Sequence, residues 1–180
     1  MKSKNIFYTF IEKASTKAGV MMIVDKTKTA LRIGDKERWR NTPEFDLLNG
    51  EYSNYHSGSN GVILVSEKFK NILSSFLPDD YPLEFLPAQV RSGVYGNRVY
   101  YIIYYKSVFG VVDKTHSKYA DDAITVTAFS YEVVKDLPVF PDEGLGDNLC
   151  FSMVVNREVY KALKQNEMLT GLDVLKRYAY

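Results

Sequence analysis

Residues 98 to 113 read RVYYIIYYKSVFGVVD, and this run constrains the fold of the chain more than any other. Tyrosine, isoleucine, valine and phenylalanine crowd both sides of it, so a strand built from these residues has no face to offer water. Such a strand belongs in the middle of a sheet, covered above and below. A second stretch, AITVTAFSYEVV at 123 to 134, alternates instead. Ile124, Val126 and Ala128 fall on one face, and Thr125, Thr127 and Phe129 on the other. Strands are therefore expected over 98–113 and 123–134, which makes the middle of the chain β-rich.

The flanks carry helices. VILV at 62–65 is apolar and mostly β-branched, Ser66 stands where an N-cap belongs, and EKFKNILSSF follows. Phe69, Ile72, Leu73 and Phe76 recur at helical spacing, and Pro78, Asp79 and Asp80 end the helix. LEFLPAQV predicts a further strand, with Pro87 marking an edge or bend. Short strands are expected near 6–11 and 20–24, followed by a polar segment that is irregular or partly helical. Within it Trp39, between Arg38 and Arg40, either closes an edge of the core or stands out as an anchor.

The same grammar returns late in the chain. SMVVNREVYKAL lies over VILVSEKFKNIL at an offset of ninety residues, matching Val155 to Val65, Asn156 to Ser66, Val159 to Phe69 and Leu163 to Leu73. Each unit is strand, cap, helix and then a short strand, at 83–86 or 172–175. Internal duplication explains this, and so do two uses of one strand-to-helix turn. The expected architecture is a single α+β domain over 1–180. It is a mostly antiparallel sheet packed against two main helices, with a repeated strand-helix-strand unit.

Composition excludes several classes. Hydrophobic residues at 46% and charged residues at 25% match an ordinary globular protein. No apolar run is long enough for a membrane helix, and the patch from Ile6 to Ile11 stops at Glu12, too short for a secretory signal. A lone cysteine, Cys150, forms no internal disulfide and suits a reducing compartment, so a cytoplasmic location is expected. Net charge is +1, yet residues 1–40 carry ten Lys and Arg against four Asp and Glu, while the rest carry thirteen against eighteen. A body at −5 lacks the cations that neutralise phosphates, so no nucleic-acid partner is expected. It suits a basic protein partner, or is simply a solvated surface.

The stretch GVVDKTHSKYADD places Asp113, His116, Ser117 and Asp121 within nine positions. A Ser-His-Asp site needs three converging groups, but Ser117 directly follows His116 and no G-x-S-x-G occurs. His56 and His116 are the only imidazoles available as a base. Asp113, His116, Asp121 and Asp122 are metal-ligand types, yet their spacing fits no EF-hand loop, and no C-x-x-C or H-E-x-x-H exists. No metal, cofactor or enzymatic activity is expected, and a charged turn ending a strand accounts better for the motif. Binding gains more support. LLNGEYSNYHSGSNG at 47–61 is expected to be a loop without regular structure, built of residues that recognition loops favour. Tyr52 and Tyr55 would supply rigid contact area, His56 would join them, and Asp121 and Asp122 would be acidic contacts. The terminal RYAY is a further interface candidate, or a frayed end.

In order, GVILVSEKFKNIL, LEFLPAQV, a tyrosine-rich strand ending in VVDKTHS, and NLCFSMVVNREVYKALKQNEMLTGLDV resemble the bacterial polymorphic-toxin immunity proteins of the family numbered eleven, formerly a domain of unknown function. The likeness covers about residues 45–177 and leaves 1–44 outside. It implies a small cytoplasmic protein that binds and neutralises a cognate toxin, and it brings no catalytic residues. Asp113 and Ser117 match a family junction, where they would cap a turn through side-chain to backbone hydrogen bonds. Two alternatives stay open: a small hydrolase that reverses a toxin-made modification, and a structural module that pairs through a sheet edge.

Overall fold

The computed structural model describes residues 5–13, 17–25, 31–34, 36–39, 41–58, 61–120, 123–145 and 152–180. Six strands form the larger sheet, in the order β2 (Met21–Ile23), β3 (Glu44–Leu47), β6 (Leu83–Arg91), β7 (Arg98–Tyr105), β5 (Val62–Val65) and β4 (Tyr55–Gly58). Neighbours are antiparallel except β3 and β6. The edge strands β2 and β4 come back into contact, so this sheet curls nearly into a barrel. A four-stranded antiparallel sheet has the order β10 (Val139–Phe140), β11 (Val154–Val155), β1 (Asn5–Glu12) and β12 (Leu172–Ala179). A separate hairpin pairs β8 (Lys118–Ala120) with β9 (Ala123–Val126). Three short helices accompany them: α1 (Glu67–Ser74), α2 (Tyr131–Val134) and α3 (Arg157–Gln165). The fold is α+β and mostly strand.

The run at 98–105 takes the central place its composition requires. Ile102 lies between Leu64 of β5 and Leu86 of β6, and Ile102, Ile103, Tyr104 and Tyr105 are all buried. The strand ends there and does not continue to Asp113. Gly110 turns the chain at φ +69, and the Glu143 carboxylate accepts the N–H groups of Phe109 and Val111 where a neighbouring strand would have done so. The second predicted strand also stops early, at Val126. Residues 131–134 form α2, closed by a bond from the Val134 N–H to the Ser130 carbonyl at 3.0 Å. In the opposite sense, 47–61 is not wholly a loop, because Tyr55–Gly58 forms β4 against β5. Gly58 is required by close packing, since a Cβ there would lie 2.6 Å from the Leu64 side chain and 2.9 Å from that of Val62.

Both longer helices start as their sequences predict. Ser66 Oγ accepts the Phe69 N–H at 3.2 Å, and Asn156 Oδ1 accepts those of Glu158 and Val159 at 3.1 and 3.0 Å. Phe69 and Leu73 of α1 and Val159 and Leu163 of α3 are fully buried in one core with Val65, Ile102 and Val155. Each such side chain contributes roughly 1.5–3 kcal/mol of burial. β5 and β6 flank β7, each antiparallel to it, and β11 and β12 flank β1 in the same way. Lys70 of α1 lies 4.1 Å from the Tyr101 ring centroid on β7, while Tyr160 of α3 stacks at 4.0 Å on Tyr8 of β1.

Alternation along β1 divides the interior. Phe10 faces the main core, and Phe7 faces a second cluster with Val111, Phe129, Val134, Phe140, Val154 and Ala179. Trp39 is buried, so it closes the core edge and is no exposed anchor. The C-terminal residues are held in place: the Phe129 N–H reaches the Tyr178 carbonyl at 3.1 Å, and the Tyr180 N–H reaches Phe129 at 3.0 Å. Among the described residues no helix is long and apolar enough to cross a membrane.

Candidate functional site

The best-formed surface feature is the end of the β6–β7 hairpin. The strands pair as far as Val90 and Arg98, and the turn from Ser92 to Asn97 projects beyond them. Ser92 Oγ accepts the N–H groups of Val94 and Tyr95 at 3.3 and 3.2 Å, and Gly96 supplies a positive φ of +72 that a side chain would resist. The turn is thereby shaped by its own residues. Its apolar side chains point outward, with Val94 81% exposed and Tyr95 46% exposed.

Beside the turn runs an open groove of about 490 Å³, lined by Val94, Tyr95, Leu48, Lys17 and Glu51 among others. Its far wall is closely packed. Gly50 holds φ +74, and a Cβ on it would lie 2.3 Å from the Lys17 carbonyl oxygen, so only glycine lets these segments meet. The exposed side chains of Val20, Met22 and Leu48 continue this apolar surface, with the Leu48 N–H bonded to the Val20 carbonyl at 3.0 Å. Isolated exposed apolar residues are ordinary, but a cluster of them around a groove is not.

Tyr52 holds the turn from behind. Its hydroxyl lies 2.8 Å from the Gly96 carbonyl oxygen and 3.0 Å from that of Val90. Its ring stacks on Tyr100 at 5.7 Å, meets Tyr95 edge-on at 6.3 Å, and carries the Arg98 guanidinium at 4.4 Å. Partial burial raises the Tyr52 phenol above its ordinary pKa, against the opposing charge of Arg98. A second groove, of about 410 Å³, opens on the other side of Tyr52, bordered by Ser53, Asn54, Lys68 and Asn166.

The other nominated residues fare differently. Tyr55 and His56 are not exposed contacts: β4 turns both inward, Tyr55 into the main core and His56 to complete burial. The β-strand that the loop-like composition concealed is the cause. Asp121 and Asp122 lie outside the described residues. Asp113 and Ser117 do cap a turn. Asp113 Oδ1 accepts the Thr115 and His116 N–H groups at 2.9 and 3.2 Å, Oδ2 lies 2.8 Å from His116 Nδ1, and Ser117 Oγ donates to the Asp113 carbonyl at 2.6 Å. Partial desolvation raises the Asp113 carboxyl, but these hydrogen bonds outweigh it and hold the group below the ordinary carboxylate value. The His116 ring stacks on Tyr180 at 4.7 Å.

One arrangement has the connectivity of a nucleophile relay. Ser53 Oγ lies 3.2 Å from His56 Nε2, and His56 Nδ1 lies 3.4 Å from Glu12 Oε1. The hydrogen bonds assign it another task. The Ser53 backbone N–H already donates to Nε2 at 2.9 Å, and the Ser53 hydroxyl donates to the Tyr55 carbonyl at 2.5 Å. With Nε2 accepting the Ser53 N–H, Nδ1 faces Glu12, whose other oxygen accepts the Ser57 N–H at 3.0 Å. The contact to Glu12 is too long and poorly aligned to count as a hydrogen bond, so Nδ1 is only weakly satisfied. The imidazole therefore braces β4 against the segment before it, while the Ser57 N–H bond to Glu12 ties β4 to β1. Among the described residues no group of three or more His, Cys, Asp and Glu side chains could hold a metal ion.

Sequence reasoning nominates Tyr52 as a contact residue and does not single out the turn that Tyr52 supports. The signal was present as SGVYGN, a glycine-flanked Val-Tyr pair between two strands, where a soluble turn normally carries polar residues. No protein-family model matches the chain, and no curated protein matches it.

Proposed function

We propose that this chain is an immunity protein that neutralises a cognate bacterial toxin by occluding its active site or substrate path. The observation carrying this reading is the exposure of Leu48, Val94 and Tyr95 along the groove beside the β6–β7 turn, with exposed Val20 and Met22 next to Leu48 outside it. An exposed patch of this kind on a small protein suits a partner that buries it. The resemblance to immunity family eleven over 45–177 supports the same reading from the sequence. It implies a cytoplasmic protein that meets the toxin inside the cell. Inhibition by surface fit needs a few aromatic or charged anchors and no cofactor. A repeated strand-helix-strand unit, by duplication or by reuse of one turn, is supported by the matched contacts of Lys70 with Tyr101 and of Tyr160 with Tyr8. The test is to purify the chain with the product of the adjacent upstream gene. A one-to-one complex and rescue of cells expressing that product are expected; separate elution with no rescue would refute the proposal.

A further inference from the structure

We infer that the β6–β7 turn, Ser92 to Asn97, is the element that enters the partner, and that the partner presents a concave protein cleft with apolar walls and a carboxylate at its mouth. The inference rests on the occlusion reading and adds which residues carry it. Four observations point the same way. The turn is convex and carries no charge, since SGVYGN holds only small, polar and apolar residues. Val94 is the most exposed large apolar side chain among the described residues, and Tyr95 stands beside it. The backbone is already shaped by Ser92 Oγ, Gly96 and the Tyr52 hydroxyl, so insertion costs little ordering entropy.

The fourth observation concerns the cations at the neck. Arg91 is engaged by Asp46 at 2.9 Å and Glu44 at 3.3 Å. Arg98 has no carboxylate partner among the described residues and lies over the Tyr52 ring at the base of the turn. A rigid apolar projection with one available guanidinium at its base matches a cleft with dry walls and an acidic lip. A flat surface would leave Val94 and Tyr95 partly wet, and a cationic cleft would be repelled by Arg98.

Affinity for the purified product of the adjacent upstream gene, measured by calorimetry, tests this. Val94→Asp together with Tyr95→Ser should weaken binding by at least about 100-fold, as loss of a central anchor does. Arg98→Glu should weaken it about 10-fold, with a smaller dependence on salt. Leu175→Asp, on the exposed side of β12, should bind as wild type. Circular dichroism and the melting temperature show whether each variant is folded; both turn residues are exposed, so no loss is expected. Wild-type affinity in the turn variant would overturn the inference and leave the occlusion reading standing. Absence of any wild-type complex would remove both. A rise in the mass of the free chain with concentration, abolished by the turn substitution, would overturn it differently, by showing that a second copy covers the turn.

Discussion

At the scale of single residues, several polar groups serve the fold while resembling chemistry. Ser53, His56 and Glu12 connect like a relay, yet the Ser53 N–H occupies the nitrogen that a base would need. His56→Leu should therefore lower stability by about 1–3 kcal/mol, because the Ser53 N–H loses the ring nitrogen that accepts it. A shift in the urea midpoint measures this, and an unchanged midpoint would contradict the bracing role. The tyrosines give a second prediction. Burial pushes the phenols of Tyr55, Tyr81 and Tyr100 far above their ordinary pKa, and at Tyr55 the Glu12 charge adds to it. Their folded values exceed their unfolded ones, so this contribution is complete below about pH 10 and is lost as pH rises beyond it. Of the fourteen tyrosines, these three should ionise only as circular dichroism records unfolding. Full tyrosinate absorbance with the fold intact would be the contrary result.

At the scale of elements, legibility followed the range of the interactions involved. The starts of α1 and α3 were readable because a cap and the amides it serves lie within three residues of each other. Asn156→Ala and Ser66→Ala should each cost about 0.5–2 kcal/mol in chemical denaturation. The Ser66 change should be the larger, since its hydroxyl also donates to Asn54 Oδ1 at 2.8 Å. Two strand ends were not readable, because distant residues decide them. Glu143 takes the amides of Phe109 and Val111, and the chain end holds Phe129 and Tyr131 through Tyr178 and Tyr180. β4 was hidden for the opposite reason. Its YHSG has the composition of a loop, while its pairing with β5 and the tight fit of Gly58 make it a strand. The loop reading exposed Tyr55 and His56 on paper; the pairing buries both. Tyr52 is nominated by the composition of its segment, but its place behind the β6–β7 turn depends on residues 38 and 44 positions away.

At the scale of the molecule, the two sheets and two longer helices enclose a main core, and the smaller cluster around Phe129 and Phe140 lies behind β1. Tyr105, fully buried on the larger sheet, donates to the Ser152 carbonyl at 3.2 Å just before β11, and Tyr81 reaches Val139 of β10, so buried hydroxyls join the two sheets. Occlusion and turnover differ in stoichiometry, and that difference is measurable. The decisive measurement is a titration of the upstream gene product's toxic activity in a purified assay. Activity should fall in proportion to added chain and vanish at one equivalent, with no loss beyond the toxin molecules bound. Suppression by a small fraction of an equivalent, increasing with time, would show that the chain turns something over and would contradict the account.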